Sequence, residues 1–236
     1  MALPDLPPGR RILIVTGHYG SGKTEFAVSL AMLLARENRT GFPRLALCDL
    51  DIVNPYFRSR ERKELLESAG VKVYGGMFGK GATAEIPELA ASVRAPLEDP
   101  GCFTVVDAGG NDSGALVLNQ FSDLFTREAR FTAAVVNASR PETRDPDGAL
   151  AHIRSIERAT GLGIDGLVSN THMLMETKPA DIVRGYALCS GLGGLLKKPV
   201  IAVAYPEKLV GASALSGISA PLVPLGMYMR ETWLDR

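Results

Sequence analysis

The chain has 236 residues, 46% of them hydrophobic, and its 26 Lys and Arg are matched by 26 Asp and Glu. That length suits one large α/β domain with a sizeable core, while the zero net charge, without basic clusters or aromatic platforms, argues against nucleic acid and acidic membrane as main partners. Three cysteines, Cys48, Cys102 and Cys189, form no close pair, which argues against a disulfide framework or a zinc or iron–sulfur site and reads as buried free thiols.

Met1 to Gly9 is Pro-rich and lacks the basic start and apolar core of a signal peptide, so residues 1–9 are expected to be a flexible tail on a cytoplasmic protein, with 10–236 forming a single domain. Arg11 to Thr16 is a short apolar run with the length and β-branching of a buried parallel strand, and Glu25 to Arg36 carries apolar residues at helical spacing. Between them Gly17-His18-Tyr19-Gly20-Ser21-Gly22-Lys23-Thr24 fits G-x-x-x-x-G-K-[ST]. Strand, loop and helix are the context this phosphate-binding pattern requires. Glycines let backbone N–H groups fold around an anion, and the helix presents its positive N-terminal end to the same phosphates. Lys23 then falls on the β- and γ-phosphates and the Thr24 hydroxyl on Mg2+.

Arg44 to Asp49 is a second apolar strand, and Asp49 and Asp51 leave its carboxyl end together. Ligands of an open parallel sheet bind beyond the carboxyl ends of the strands, so both carboxylates are expected beside the phosphate loop, one near Mg2+ and one orienting a water. The plainer alternative is a helix-capping Asp with a solvated neighbour. Pro55 to Glu67 begins a charged helix, in which Arg58 and Arg60 are candidates for stabilising a transferring phosphoryl group. Val71 to Tyr74 is a short strand, Gly75 to Gly81 a glycine-rich loop, and Ile86 to Val93 a brief helix.

Cys102 to Asp107 is the next buried strand and ends in Asp107-Ala108-Gly109-Gly110. This D-x-x-G can hold the Mg2+ shell through Asp107 and offer the Gly110 N–H to a γ-phosphate; an ordinary turn uses the same residues. Phe131 to Asn137 and Ile164 to Asn170 are two further strands around a helix within Pro141 to Thr160, whose His152 and Arg154 read as solvated. Asn170 leaves the sheet where a purine-binding amide would, although a turn-forming role also fits. The absence of Asn-Lys-x-Asp favours ATP over GTP. Pro199 to Ala204 leads to Tyr205-Pro206-Glu207-Lys208, and the uncharged stretch Leu209 to Met229 reads as a helix followed by a strand at Pro221 to Leu225. The count is that of a doubly wound, mostly parallel sheet of about seven or eight strands.

Gly17 to Thr24, Asp49-Leu50-Asp51, Asp107 to Gly110 and Asn170 in this order, with Pro206-Glu207, resemble the MinD/ParA group of P-loop ATPases of the SIMIBI class, which includes the nitrogenase iron protein and the cobyrinate synthetase nucleotide domains. The resemblance spans nearly the whole chain. It is strongest to CobQ/CobB/MinD/ParA nucleotide-binding domain proteins, through Gly17 to Glu25 and Asp49 to Glu61. It implies that Lys23 and the loop amides hold phosphates, that Thr24 and Asp107 organise Mg2+, and that Asp51 positions the attacking water; Asp49 joins the Mg2+ candidates through its place at the sheet edge. It further implies that Asn170 and Pro206-Glu207 hold adenine, and that two protomers sandwich ATP in a homodimer. One departure is His18, which stands where the group's signature lysine would be and can supply a charge beside triphosphate or merely cap the loop. Tyr19 replaces a glycine.

The function expected is an ATP-hydrolysing switch acting on an unknown protein partner. The alternative is an ATP-dependent small-molecule ligase or kinase resembling dethiobiotin synthetase, with Gly75 to Gly81 and Asn111-Asp112-Ser113 shaping its pocket.

Overall fold

The computed structural model describes residues 9–38, 40–51, 62–75, 86–110, 117–126 and 129–229. Arg58, Arg60, most of the glycine-rich loop after Gly75, and Asn111 to Ser113 lie outside them. Eight strands form one parallel sheet in the order β3-β2-β4-β1-β5-β6-β7-β8. They are β1 Ile12–Gly17, β2 Arg44–Leu50, β3 Val71–Tyr74, β4 Cys102–Ala108, β5 Arg130–Val136, β6 Gly166–Ser169, β7 Val200–Pro206 and β8 Leu222–Leu225. The helices are α1 Lys23–Glu37, α2 Lys63–Ser68, α3 Ile86–Glu98, α4 Pro146–Thr160 and α5 Pro179–Leu196. This is the expected doubly wound α/β architecture.

The strands read as continuous apolar runs because both faces of the sheet are covered. Leu13 and Val15 of β1 pack with Leu47 of β2, Val105 of β4 and Phe26, Leu30 and Leu34 of α1. The alternate residues Ile12, Ile14, Cys48 and Val106 face the other side, against Val93 and Leu97 of α3. Further along that side Ala134 and Val136 meet Ile153 and Ile156 of α4 and Cys189 and Leu192 of α5. All three cysteines are buried and free.

That alternation places the site. Asp49 and Asp107 are cross-strand partners. Each lies two residues beyond a side chain on the α1 face, Leu47 and Val105 respectively, so period-two geometry aims both carboxylates toward the start of α1.

Helix ends follow their local chemistry. Asp145 caps α4 by accepting from the Gly148 N–H at 2.9 Å, Pro146 occupies its first turn, and Gly161 ends it in the left-handed conformation. The 18-residue α5 carries Gly185, where a Cβ would run into the Thr171 side chain. The glycine there permits close approach of helix to sheet edge. One element differs from expectation: the stretch before β8, read as a helix, forms only a 3-10 turn, Ala212–Leu215, between Gly211 and Gly217. Among the described residues no helix is long and apolar enough to cross a membrane.

Phe26 is fully buried between α1 and the sheet. Replacing it with Ala should cost about 3–5 kcal/mol of stability through lost burial and a residual cavity, read as a lower midpoint in urea unfolding at unchanged slope.

Candidate functional site

The phosphate loop begins where β1 ends, at Gly17, and closes at Gly22, which immediately precedes α1. Gly22 has φ 80°, and a Cβ there would meet the Asn170 amide, so both its backbone and its neighbour demand glycine. Gly110 is required for a different reason: a Cβ on it would strike the Gly17 carbonyl oxygen. The turn after β4 is thereby pressed directly on the phosphate loop. Asn170 Nδ2 donates to the Ser21 carbonyl at 2.8 Å in a buried bond. The amide expected to hold a purine thus also ties the end of β6 to the phosphate loop.

Beneath the loop, Lys23 Nζ lies 2.8 Å from Asp51 Oδ2, with the two side chains only 6% and 4% exposed. Asp49, Thr24 and Asp107 are buried beside them. Both Asp107 oxygens are buried without a hydrogen-bond partner. Burial pushes this carboxyl up to about 8; Lys23 opposes the rise, while Asp49 and Asp51 add to it. The Thr24 hydroxyl favours the charged form through its proximity, but makes no bond of good geometry to either oxygen. Two orphaned carboxylate oxygens, a second carboxylate in register and an adjacent hydroxyl are hard oxygen donors, and they fit Mg2+. Among the described residues no three His, Cys, Asp or Glu side chains form a metal cage of their own. That suits a cation which usually takes one or two carboxylates and completes its shell with phosphate and water.

All three histidines of the chain gather around this loop. His18 Nδ1 lies 2.7 Å from the Tyr19 carbonyl oxygen, and Nε2 is 3.9 Å from the Glu142 carboxylate. Its ring meets that of His152 edge-on, at 4.8 Å between centroids. The signature-lysine position therefore caps its own loop against α4. His152, expected on a solvated face, is half-buried here, and burial with His18 nearby lowers it to about 4. His172 is likewise lowered to about 4, by burial and then by Arg140. Arg154 stays exposed, paired with Glu157 at 2.9 Å.

Arg140, four residues past the end of β5, donates from Nε to the Gly20 carbonyl at 2.9 Å. It escaped the sequence reading, although its place beyond a strand's carboxyl end marks it by the same rule that found Asp49. The loop, Arg140, Asn170 and His172 open onto a cavity of about 440 Å³, whose far wall is Leu174, Pro206, Leu225, Met227 and Met229. Lys23, Thr24 and the loop glycines share its lining with these largely apolar side chains. Pro206 lines this cavity, whereas Glu207 is exposed, gives its N–H to the Leu225 carbonyl at 3.3 Å, and borders a second cavity that Gly226 and Tyr228 also line.

No protein-family model and no curated protein matches the chain. Solved structures do match its fold. With a TM-score of 0.54 and 20% identity it is similar to the signal recognition particle 54 kDa protein from Aeropyrum pernix K1 in complex with GDP, covering 84% of this chain and 42% of that one. FtsY from Mycoplasma mycoides gives 0.55 and 13%, over 84% of this chain and 60% of that one. The cell division protein FtsY from Thermotoga maritima gives 0.55 and 18%, over 84% and 63%. The chain thus spans less than two thirds of the length of each. At such identities the comparison establishes the fold, that of the P-loop NTPases.

The buried acid cluster has a measurable signature. A carboxyl held above its ordinary range stabilises the fold while protonated, and that contribution is lost as pH rises through about 8. With a metal chelator present, stability in urea should fall from the ordinary carboxylate range up to about pH 8. Asp107→Asn should flatten that slope and leave the chain more stable at the alkaline end.

Proposed function

We propose that this chain is a Mg2+-dependent ATP-binding and hydrolysing switch of the MinD/ParA type that acts on a protein partner. The observation carrying the reading is the buried group beneath the phosphate loop, where Lys23 is paired with Asp51 and both Asp107 oxygens lack partners. Lys23 and the loop amides hold the phosphates, and Thr24, Asp107 and Asp49 hold Mg2+, which neutralises phosphate charge when bound. Arriving phosphate competes for the Lys23 ammonium. In that arrangement Asp51 accepts a hydrogen bond from the attacking water and orients it. Gly110, pressed on Gly17, is the natural reporter of the terminal phosphate and passes its loss to the loop after β4.

Two features support the finer points. Guanine is ordinarily recognised through a carboxylate on its N–H edge; among the described residues the one carboxylate bordering the cavity, Glu25, is already bonded to main-chain N–H groups, which favours adenine. Tyr19 is 66% exposed on the loop, and Met173, Leu174 and Met175 are exposed nearby in sequence to His172 and the cavity wall, an apolar rim suited to a protein partner. His18, bonded to its own loop, gives no comparable support for the sandwich homodimer.

The test is phosphate release from the purified chain with Mg-ATP beside Mg-GTP. ATP should be the better substrate, and Lys23→Ala should slow release by about 10²–10³-fold, the typical cost of one transition-state donor. Asp51→Ala should slow it by about 10²–10⁴-fold. Release only after a second small molecule is supplied would instead favour the ligase or kinase reading.

A further inference from the structure

The segment after β8, residues 226–229, touches none of the nucleotide motifs in sequence, yet it is bolted to the turn of α1 that carries Lys23 and Thr24. Glu25 does this. Its Oε1 accepts the Tyr228 N–H at 2.9 Å and the Ser29 hydroxyl at 2.8 Å, and its Oε2 accepts the Met229 N–H at 2.8 Å. Ser29 Oγ in turn accepts the Gly226 N–H at 3.1 Å. Met227 lies between these anchors with φ 57°, a left-handed conformation uncommon outside glycine.

The segment is a partition. Leu225, Met227 and Met229 line the cavity shared with the phosphate loop, whereas Gly226 and Tyr228 line a second cavity of about 330 Å³ with Ser29 and Arg36. Alternate residues therefore face opposite sides of one thin wall whose position depends on Glu25.

We propose that Glu25 is a positioning residue for the nucleotide base: by gripping the main chain at 228 and 229 it fixes the apolar wall on which a purine lies, at a set distance from the phosphates. This rests on the nucleotide reading above and deepens it. Both Glu25 oxygens are engaged by the wall's main chain, so its removal should affect the part of the affinity that the base supplies. The phosphate part should stay.

The experiment titrates the full chain with Mg-ATP and, separately, with Mg-tripolyphosphate, which has the phosphates and no base. In Glu25→Gln, where an amide N–H replaces one acceptor, ATP affinity should fall by about tenfold, the scale of one lost charged hydrogen bond. Tripolyphosphate affinity should stay within about twofold. Ser29→Ala, a milder change that leaves the carboxylate in place, should shift the same ratio in the same direction by less. Equal loss for both ligands, or no loss for either, overturns the proposal while leaving the nucleotide reading intact. Failure of the unaltered chain to bind ATP overturns that reading and this proposal with it.

Discussion

Three carboxylates and one ammonium share a small dry volume at the head of α1, and everything around them serves to make that arrangement tolerable. Asp49, Asp51 and Asp107 are each almost fully buried, and Lys23 is the cation paired directly with one of them. Several kcal/mol are needed to desolvate each such ion, and Coulomb attraction repays this only with good partners. Asp107 lacks them, and its raised protonation range expresses the imbalance. A divalent cation with triphosphate offers the missing compensation: metal for the carboxylates, phosphate for the lysine. The geometry stores an affinity for that pair of charges.

The fold holds this cluster by rules that act at a distance from it. Parallel strands in register align Asp49 with Asp107, side-chain alternation turns both toward α1, and the glycine contact between 110 and 17 fixes the height of the neighbouring turn. Asn170 supports the loop from the opposite side through Ser21. The solved structures similar in fold share 20% identity or less with this chain. Fold alone does not fix chemistry at such identities; the residues at the sheet edge do.

Much of this was legible in the sequence because it is local. The phosphate loop announces itself by spacing, and the strands by apolar runs ending in Asp49, Asp107 and Asn170. What escaped was non-local. Glu25 finds its partners 203 and 204 positions away and through their main chain, which leaves no trace in composition or periodicity. His152 sits at a position that helical spacing assigns to solvent, yet it is half-buried because His18 folds back over it. Asn170 and Glu207 stand at the expected strand ends, but strand position alone does not reveal which neighbour a side chain turns to. The reason for glycine at 185 of α5 is likewise non-local, since it lies in the approach of Thr171.

The anchoring of the 226–229 segment through backbone amides separates two properties that proteins often entangle. Glu25 recognises N–H groups that every residue except proline possesses, so its grip does not depend on which side chains stand at 228 and 229. Met229 is held in addition by the core against α1, which leaves Met227 as the position open to change, provided its left-handed turn is kept. Such a wall is an evolvable surface: its contour can be rewritten by single substitutions while its mounting is inherited unchanged, and ligand preference can diversify without passing through an unfolded intermediate.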